Sequence, residues 1–180
     1  MNSLTLVLSG LLLFQSVNPK PVIDNNRVRV WENHIPAASF ESDTVVVTAD
    51  GKVSFRKKGS PAVDAKEIIA LKDASVAALP NKSGFPLAMP RPGAKIVLDN
   101  ARITAWDYRW TTGVPTPMHF HDKDVVVMFL EEGDLCSTTP KGEITLNAYK
   151  PGTIRFNARD RVHTEELVRG TQRAIIVELK

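Results

Sequence analysis

The segment MHFHDKDVVVMFLEEG, from Met118 to Gly133, contains the pattern that decides the fold. Successive side chains of a β-strand point to opposite faces of the sheet, so residues i and i+2 share a face. His119 and His121 therefore project together, and Phe120 projects the other way. Two imidazoles on one face can bind a metal ion, or they can be partly buried histidines with hydrogen-bond partners. The pair alone leaves both interpretations open.

The residues around this pair predict short strands separated by turns. From Lys95 to the end of the chain, β-branched and alternating apolar runs recur at short intervals, and Asp50-Gly51 is a hairpin signal in the first half. Residues 61–78 are rich in Ala, Glu, Lys and Leu and predict one short helix. Residues 80–92 contain four prolines and predict an extended linker. Short strands at this spacing predict an all-β sandwich or barrel.

The chain contains one imperfect internal repeat. VIDNNRVRVWE (22–32) and VLDNARITAWD (97–107) share Asp-Asn, an arginine, an alternating run, a tryptophan and an acid. A valine triplet follows each copy, and the spacing before it is shorter in the first copy, which lacks the segment with the histidine pair. We interpret the first half as a related β-unit without the histidine hairpin. Two unrelated strands of common composition are the alternative.

Composition and charge narrow the classes of function. The 180 residues suffice for one ordinary core, and a formal net charge of +3 without a long basic run argues against nucleic-acid binding. The chain has one cysteine, Cys136, which excludes a disulfide within the chain and a Cys-x-x-Cys site.

The first residues predict a targeting segment. LTLVLSGLLLF (4–14) is an apolar run that suits a secretory signal peptide and is too short to cross a bilayer of about 30 Å. We therefore assign 1–20 to a signal peptide, 21–94 to the N-terminal β-unit with its proline-rich linker, and 95–180 to the main domain. This assignment predicts a secreted or periplasmic protein without a stable membrane span. If the run instead packs on the domain as a strand or helix, a cytoplasmic protein is expected.

The histidine segment resembles the first motif of the cupin superfamily, which is Gly, five residues, His-x-His, four residues, Glu, six residues, Gly. Gly113 precedes His119 by six positions, and Gly133 follows His121 by twelve. The motif's Glu position falls on Val126, which cannot bind a metal.

The second cupin motif is Gly, five residues, Pro-x-Gly, two residues, His. Its positions are held here by Gly152, Ala158, Asp160 and His163. The resemblance covers residues 95–180 well and the earlier half only through the weak repeat.

The resemblance implies an all-β double-stranded β-helix, a jelly roll of the small bacterial cupin kind, to which the N-terminal β-unit and the short helix are added. It implies that His119, His121 and His163 hold one divalent metal ion. Fe²⁺ is favoured, and Ni²⁺, Mn²⁺, Cu²⁺ and Zn²⁺ remain alternatives because imidazole binds them all.

Two carboxylates could replace the missing Glu ligand. Asp124 shares a strand face with Val126, and Glu165 shares a face with His163. The simpler interpretations are a turn residue for Asp124 and an ion pair with a nearby arginine for Glu165. Three neutral imidazoles leave a divalent ion its full charge, which favours anionic ligands.

Three-histidine cupins of the thiol-dioxygenase and diketone-cleaving kinds resemble this arrangement. That resemblance implies an oxygenase acting on a small anionic substrate, with Tyr108 or Glu165 moving a proton. A non-enzymatic cupin that binds a small ligand or a metal is the alternative. Trp110, Val126 and Arg161 are candidates for the pocket wall. The aromatic face that Tyr108 and Trp110 share with Trp106 suits a pocket, a core or the interface of a homodimer.

Overall fold

A computed structural model of the protein describes residues 20–32, 39–61, 65–72 and 76–180, and every regular element in these ranges is a β-strand. Apart from Lys20, the predicted signal peptide lies outside the described residues. No helix in the same ranges has the length and apolar character needed to span a bilayer.

The strands form three antiparallel sheets. The N-terminal sheet has the spatial order β1-β2-β5-β3-β4. Its strands are β1 (Ile23–Asp24), β2 (Val28–Glu32), β3 (Thr44–Val47), β4 (Val53–Arg56) and β5 (Glu67–Leu71). The second half of the chain forms the other two sheets, which face each other as a double-stranded β-helix, the fold predicted from the sequence.

The first of these, the major barrel sheet, has the order β6-β7-β14-β9-β12. Its strands are β6 (Lys95–Asp99), β7 (Ile103–Trp110), β9 (Val125–Phe129), β12 (Ile154–Asn157) and β14 (Gln172–Leu179). The other, the minor barrel sheet, has the order β11-β10-β13-β8. Its strands are β8 (His119–His121), β10 (Gly133–Thr138), β11 (Ile144–Tyr149) and β13 (Arg161–Gly170).

The N-terminal sheet and the major barrel sheet have the same topology. When the five strands of each sheet are ranked by their place in the chain, both sheets have the order 1-2-5-3-4. The minor barrel sheet, which carries the histidines, has no counterpart among the strands described in the first half. The internal repeat in the sequence therefore corresponds to a repeated sheet.

The first hairpin of each of these two sheets is built in the same way. The side-chain oxygen of Asn25 accepts hydrogen bonds from the backbone N–H groups of Arg27 and Val28, at 2.8 and 2.9 Å. The side-chain oxygen of Asn100 accepts from Arg102 and Ile103, at 2.8 and 3.0 Å. An Asx turn of this kind reverses the chain and fixes the strand register. The Asp-Asn pair in both copies of the repeat is explained by this turn.

The major barrel sheet is buried on both faces. Its inner face contributes to a core inside the barrel, which contains Trp106, Trp110, Val127, Phe129 and Ile176 among others. Its outer face packs against the N-terminal sheet in a second core. Because both faces are buried, β9 is a continuous apolar run, VVVMF, rather than an alternating one.

The prediction of a short helix within residues 61–78 is wrong. The described part of this range contains β5, which lies at the centre of the N-terminal sheet between β2 and β3. Ile68 and Ile69 are almost fully buried there. Burial of β-branched side chains on both faces of a central strand outweighs the helix propensity of the surrounding Ala, Glu, Lys and Leu.

The proline-rich segment is part of the barrel rather than a plain linker. The backbone N–H of Phe120 donates to Pro86 O, and that of Ala88 donates to Phe120 O, each at 2.8 Å. These bonds extend the minor barrel sheet beyond the edge of β8. They also bring Met89 and Arg91 to the mouth of the barrel.

Candidate metal centre

Three histidines converge at one end of the barrel, as the sequence predicted. His119 and His121 lie on β8, and His163 lies opposite His119 on the neighbouring strand β13. One ring nitrogen from each lies within 4.8 Å of the other two. Two nitrogens bound to one ion at about 2.1 Å are separated by about 3.0 to 3.4 Å. Small side-chain rotations therefore bring all three within reach of a single ion.

Hydrogen bonds orient two of the rings. His119 Nδ1 lies 2.8 Å from Pro117 O, which can only accept, so this nitrogen carries the proton. Its Nε2 is buried and has no hydrogen-bond partner among the described residues. His163 Nδ1 lies 2.9 Å from Ser137 Oγ, and His163 Nε2 lies 2.9 Å from His121 Nε2. A buried orphan nitrogen beside two facing nitrogens is the arrangement that a metal ion would complete.

The histidines are held in the neutral form that metal binding needs. Burial lowers the pKa of His163 to about 4, although the nearby Glu165 carboxylate acts in the opposite direction. Burial also lowers the pKa of His119, and burial together with Arg161 lowers that of His121. At neutral pH all three can offer a lone pair without first losing a proton.

The backbone explains two positions of the cupin-like motifs. Asp160 stands where the motif has glycine and has a φ of 66°, in the left-handed region that glycine adopts most easily. Its N–H donates to His121 O at 2.9 Å and ties the start of β13 to the histidine strand. Gly133 leaves no room for a side chain, because an added Cβ would lie 2.7 Å from Thr171 O.

A pocket opens beside the histidines, between the two barrel sheets. Its wall combines apolar and aromatic residues with six polar or charged ones: Ala88, Met89, Arg91, Trp110, His121, Val125, Val127, Phe129, Tyr149, Asn157, Arg161, Glu165, Ile176 and Glu178. A concave site in which polar groups converge beside apolar side chains suits a small polar or charged molecule.

Glu165 lines this pocket, but it is not one of the clustered ligand atoms. Its carboxylate accepts hydrogen bonds from Arg91 Nη1 at 3.2 Å and from Trp110 Nε1 at 3.3 Å. Burial alone would raise the pKa of Glu165, but Arg91 and the neighbouring histidines lower it below its ordinary value. Glu165 is therefore a carboxylate in the pocket at neutral pH.

Arg91 is one of the charged pocket residues that sequence reasoning missed. Its side chain is 7% exposed, and its guanidinium lies 4.0 Å from the centre of the Tyr108 ring. Tyr108 lies against Arg91 and Trp110 and does not line the pocket. An arginine between two prolines in a predicted linker gives no sequence signal for a buried position, since the pairing of that segment with β8 is a tertiary feature.

Arg161 lines the pocket, and its Nε donates to Ala158 O at 2.8 Å. Within the described residues, no carboxylate forms an ion pair with it. Glu165 pairs with Arg91 instead. Arg161 is therefore the cation of the pocket whose charge is not directly compensated.

Val126 does not face the metal site as the motif count implied, and Asp124, the candidate replacement ligand, does not lie there either. Val126 belongs to the core between the N-terminal sheet and the barrel, while its neighbours Val125 and Val127 line the pocket. Strand alternation therefore places Val126 on the face opposite the pocket. Asp124 forms an ion pair with Arg27 at 2.8 Å, on the N-terminal sheet.

The fold and the site together define a cupin-like double-stranded β-helix with a three-histidine cluster at its open end. No family model matches the chain. Over 61 residues, the chain is 36% identical to the beta-alanine degradation protein BauB of Pseudomonas aeruginosa; the match covers 34% of this chain and 60% of that relative's length.

Solved structures similar to the chain include two cupin proteins. A cupin domain from Bordetella pertussis Tohama I is 26% identical, with a TM-score of 0.45, and the match covers 51% of this chain and 98% of that one. An RmlC-like cupin family protein from Methanocaldococcus jannaschii is 11% identical, with a TM-score of 0.41, and the match covers 58% of this chain and 89% of that one.

Proposed function

We propose that the protein binds one divalent metal ion through His119, His121 and His163, and holds a small anionic compound beside it. The observation that carries this proposal is the buried, unpartnered Nε2 of His119, within 4.8 Å of the other two ligand nitrogens. Burying a polar atom without a partner is costly, and a metal ion would remove that cost. We favour Fe²⁺ because of the resemblance to three-histidine oxygenases.

The charges around the pocket support an anionic ligand. Three neutral imidazoles leave the +2 charge of an ion undiminished, and the carboxylate of Glu165 is compensated by Arg91 at 3.2 Å. Arg161 adds a positive charge, and its guanidinium can form two parallel hydrogen bonds with a carboxylate. By its name, the Pseudomonas relative acts in the degradation of β-alanine, which carries a carboxylate. A small carboxylate compound is therefore the ligand class that we propose.

The reaction that we propose is an oxygenation of this compound. A bound Fe²⁺ would supply a Lewis acid for the substrate anion and electrons for reaction with dioxygen. We propose Glu165 as the group that accepts a proton from the substrate, because it is a carboxylate that lines the pocket. Arg161 would orient the substrate carboxylate, and the apolar wall of Val125, Val127 and Phe129 would exclude water.

Metal binding is tested on the purified chain after reconstitution with Fe²⁺, Mn²⁺, Ni²⁺, Cu²⁺ or Zn²⁺ in turn. Elemental analysis should find about one metal ion per chain. His163→Ala should reduce that content by at least ten-fold for every metal. If the wild-type chain and His163→Ala bind equally little metal, the proposed metal centre is rejected.

Ligand binding and catalysis are tested separately. Small carboxylates, including β-alanine, are titrated calorimetrically into the metal-loaded protein. Arg161→Gln should weaken binding at least ten-fold, whereas Arg169→Gln, on the same strand but paired with Asp134 at the surface, should not. Oxygen uptake that needs both metal and carboxylate supports the oxygenase. Carboxylate binding without oxygen uptake supports the non-enzymatic alternative, which the apolar side chain at the motif's Glu position favours.

A further inference from the structure

The N-terminal sheet and the major barrel sheet meet as two pseudo-equivalent surfaces. The core between them contains six pairs of residues that occupy matching positions in the two copies: Val28 with Ile103, Val30 with Ala105, Val45 with Val126, Val47 with Met128, Ile69 with Val177, and Leu71 with Leu179. Each side therefore offers the other the same kind of apolar face.

Charged contacts across this core are reciprocal. Arg27 of the N-terminal sheet pairs with Asp124 of the barrel at 2.8 Å, and Arg102 of the barrel pairs with Asp43 at 3.6 Å. Arg27 and Arg102 stand at matching positions after the two Asx turns. Asp43 and Asp124 also match, because their carbonyls accept from Leu71 N and Leu179 N.

The same two arginines also donate reciprocal hydrogen bonds to backbone carbonyl groups of the opposite sheet. Arg27 Nη2 donates to Lys180 O at 3.4 Å, and Arg102 Nη2 donates to Lys72 O at 2.8 Å. In each case the arginine of one sheet reaches the residue just after the last strand of the other. At a two-fold interface each contact occurs twice, once in each direction between the two partners. The contacts of Arg27 and Arg102 repeat in this way between the two sheets.

We infer that the N-terminal sheet occupies the face through which the barrel would otherwise pair with a second copy of itself. The first half of the chain provides the apolar face and the charged side chains that a two-fold partner would provide. Because the two sheets are pseudo-equivalent, a second barrel placed on this face would set Arg102 of each copy against Asp124 of the other. The face is therefore closed to a second copy while the N-terminal sheet is docked. This inference does not depend on metal binding or on catalysis.

Four charge reversals in the full-length chain test it. Arg27→Asp and Asp43→Arg alter only the N-terminal sheet, whereas Arg102→Asp and Asp124→Arg alter the barrel face. All four disturb the docking of the two sheets. Only the first two leave a barrel face on which Arg102 and Asp124 can still pair with a second copy.

Sedimentation velocity over a range of protein concentrations measures the mass. Arg27→Asp and Asp43→Arg should form a species of twice the wild-type mass, and Arg102→Asp and Asp124→Arg should not. The combined variant with Arg27→Asp and Asp124→Arg restores an ion pair with reversed signs and should return to the wild-type mass.

The inference is rejected if the folded variants of the N-terminal sheet and those of the barrel face all keep the wild-type mass. It is equally rejected if all of them form a species of twice that mass. It is also rejected if the wild-type chain has the mass of two chains and Arg27→Asp has that of one, because the N-terminal sheet would then mediate pairing. Circular dichroism checks that each variant is folded. If the reversals do not fold, Arg27→Ala and Asp43→Ala replace them, with Arg102→Ala and Asp124→Ala as matched controls and the same expected masses.

Discussion

Ser137 Oγ lies 2.9 Å from His163 Nδ1, and this contact orients the ring so that Nε2 faces His121. When Nδ1 carries the proton and donates to the serine hydroxyl, Nε2 has a free lone pair. Pro117 O has the same effect on His119. Partners of two of the three histidines thus hold the rings in orientations in which Nε2 can bind a metal, and Pro117 O fixes the tautomer of His119.

Removal of the serine hydroxyl is therefore expected to weaken metal binding without loss of the fold. We predict that Ser137→Ala lowers metal affinity by about 10- to 100-fold, the range typical of partners that orient a ligand. A competition titration with a chelator measures the change. Thr138→Ala is the matched control, since Thr138 is the next residue of β10 and its side chain lies on the opposite face of the strand. Equal affinities for the two variants would show that Ser137 does not orient the ligand.

Adjacent valines of β9 should respond oppositely to a glutamate. Val125 lines the pocket beside His121, and Val126 lies in the core between the sheets. We predict that Val125→Glu destabilises the metal-free protein and that added metal restores at least part of the melting temperature, because the carboxylate gains an ion to bind. Val126→Glu buries a charge without a partner, and no metal should reverse its effect. Metal-dependent recovery of Val126→Glu alone would contradict the register seen in the structure.

Much of the barrel could be predicted from sequence because its signals are local. The i, i+2 spacing of His119 and His121 places both on one face, and the Asp-Asn turns mark the two copies of the repeat. The prediction that His163 joins them rested on the spacing of the second motif. In each case a short stretch contains the information that the fold uses.

The predictions that the structure contradicts have a different origin. The segment around Ile68 was expected to be helical, because its place between two strands depends on residues far away in the chain. Val126 was expected to face the metal because it holds the motif's Glu position, but that spacing runs through a turn and does not determine which face of β9 a residue occupies. Arg91 and Arg27 gave no signal, since their carboxylate partners are 74 and 97 residues distant.

The pair formed by Arg91 and Glu165 should contribute more to stability than a surface pair. The side chains of Arg91 and Glu165 are 7% and 20% exposed, so Arg91→Gln leaves a largely buried carboxylate without its cation. We predict a loss of about 3 kcal/mol in the free energy of unfolding, and partial recovery when Glu165→Gln is added. Urea denaturation of the single and double variants measures the coupling. Arg169→Gln, which breaks the surface pair with Asp134, should cost under about 1 kcal/mol. Equal losses for the two arginines would contradict this difference in burial.

The two packed sheets have apolar residues at matching positions of their shared core, but Glu67 is an ionisable residue at one such position. It occupies the position in the N-terminal sheet that Ile175 holds in the barrel sheet, because Glu67 pairs with Val47 as Ile175 pairs with Met128. Glu67 is 1% exposed, and neither carboxylate oxygen has a hydrogen-bond partner among the described residues. Burial, with a smaller effect from Glu32, raises its pKa from 4.5 to about 8.

The raised pKa of Glu67 makes the stability of the fold depend on pH. Below pH 4.5 the carboxyl is protonated in both the folded and the unfolded chain, so it adds no pH dependence. Between pH 4.5 and about 8 the unfolded chain loses this proton while the folded chain retains it, which favours unfolding progressively. We predict that this group lowers the free energy of unfolding by several kcal/mol across that window and that the loss levels off above it. Glu67→Gln cannot ionise and should show a much flatter pH profile in urea denaturation. Glu143→Gln, which removes an exposed carboxyl in the loop between β10 and β11, is the control and should keep the wild-type profile. If Glu67→Gln and the wild-type chain lose stability in parallel between pH 5 and 8, ionisation of Glu67 does not limit the packing of the two sheets.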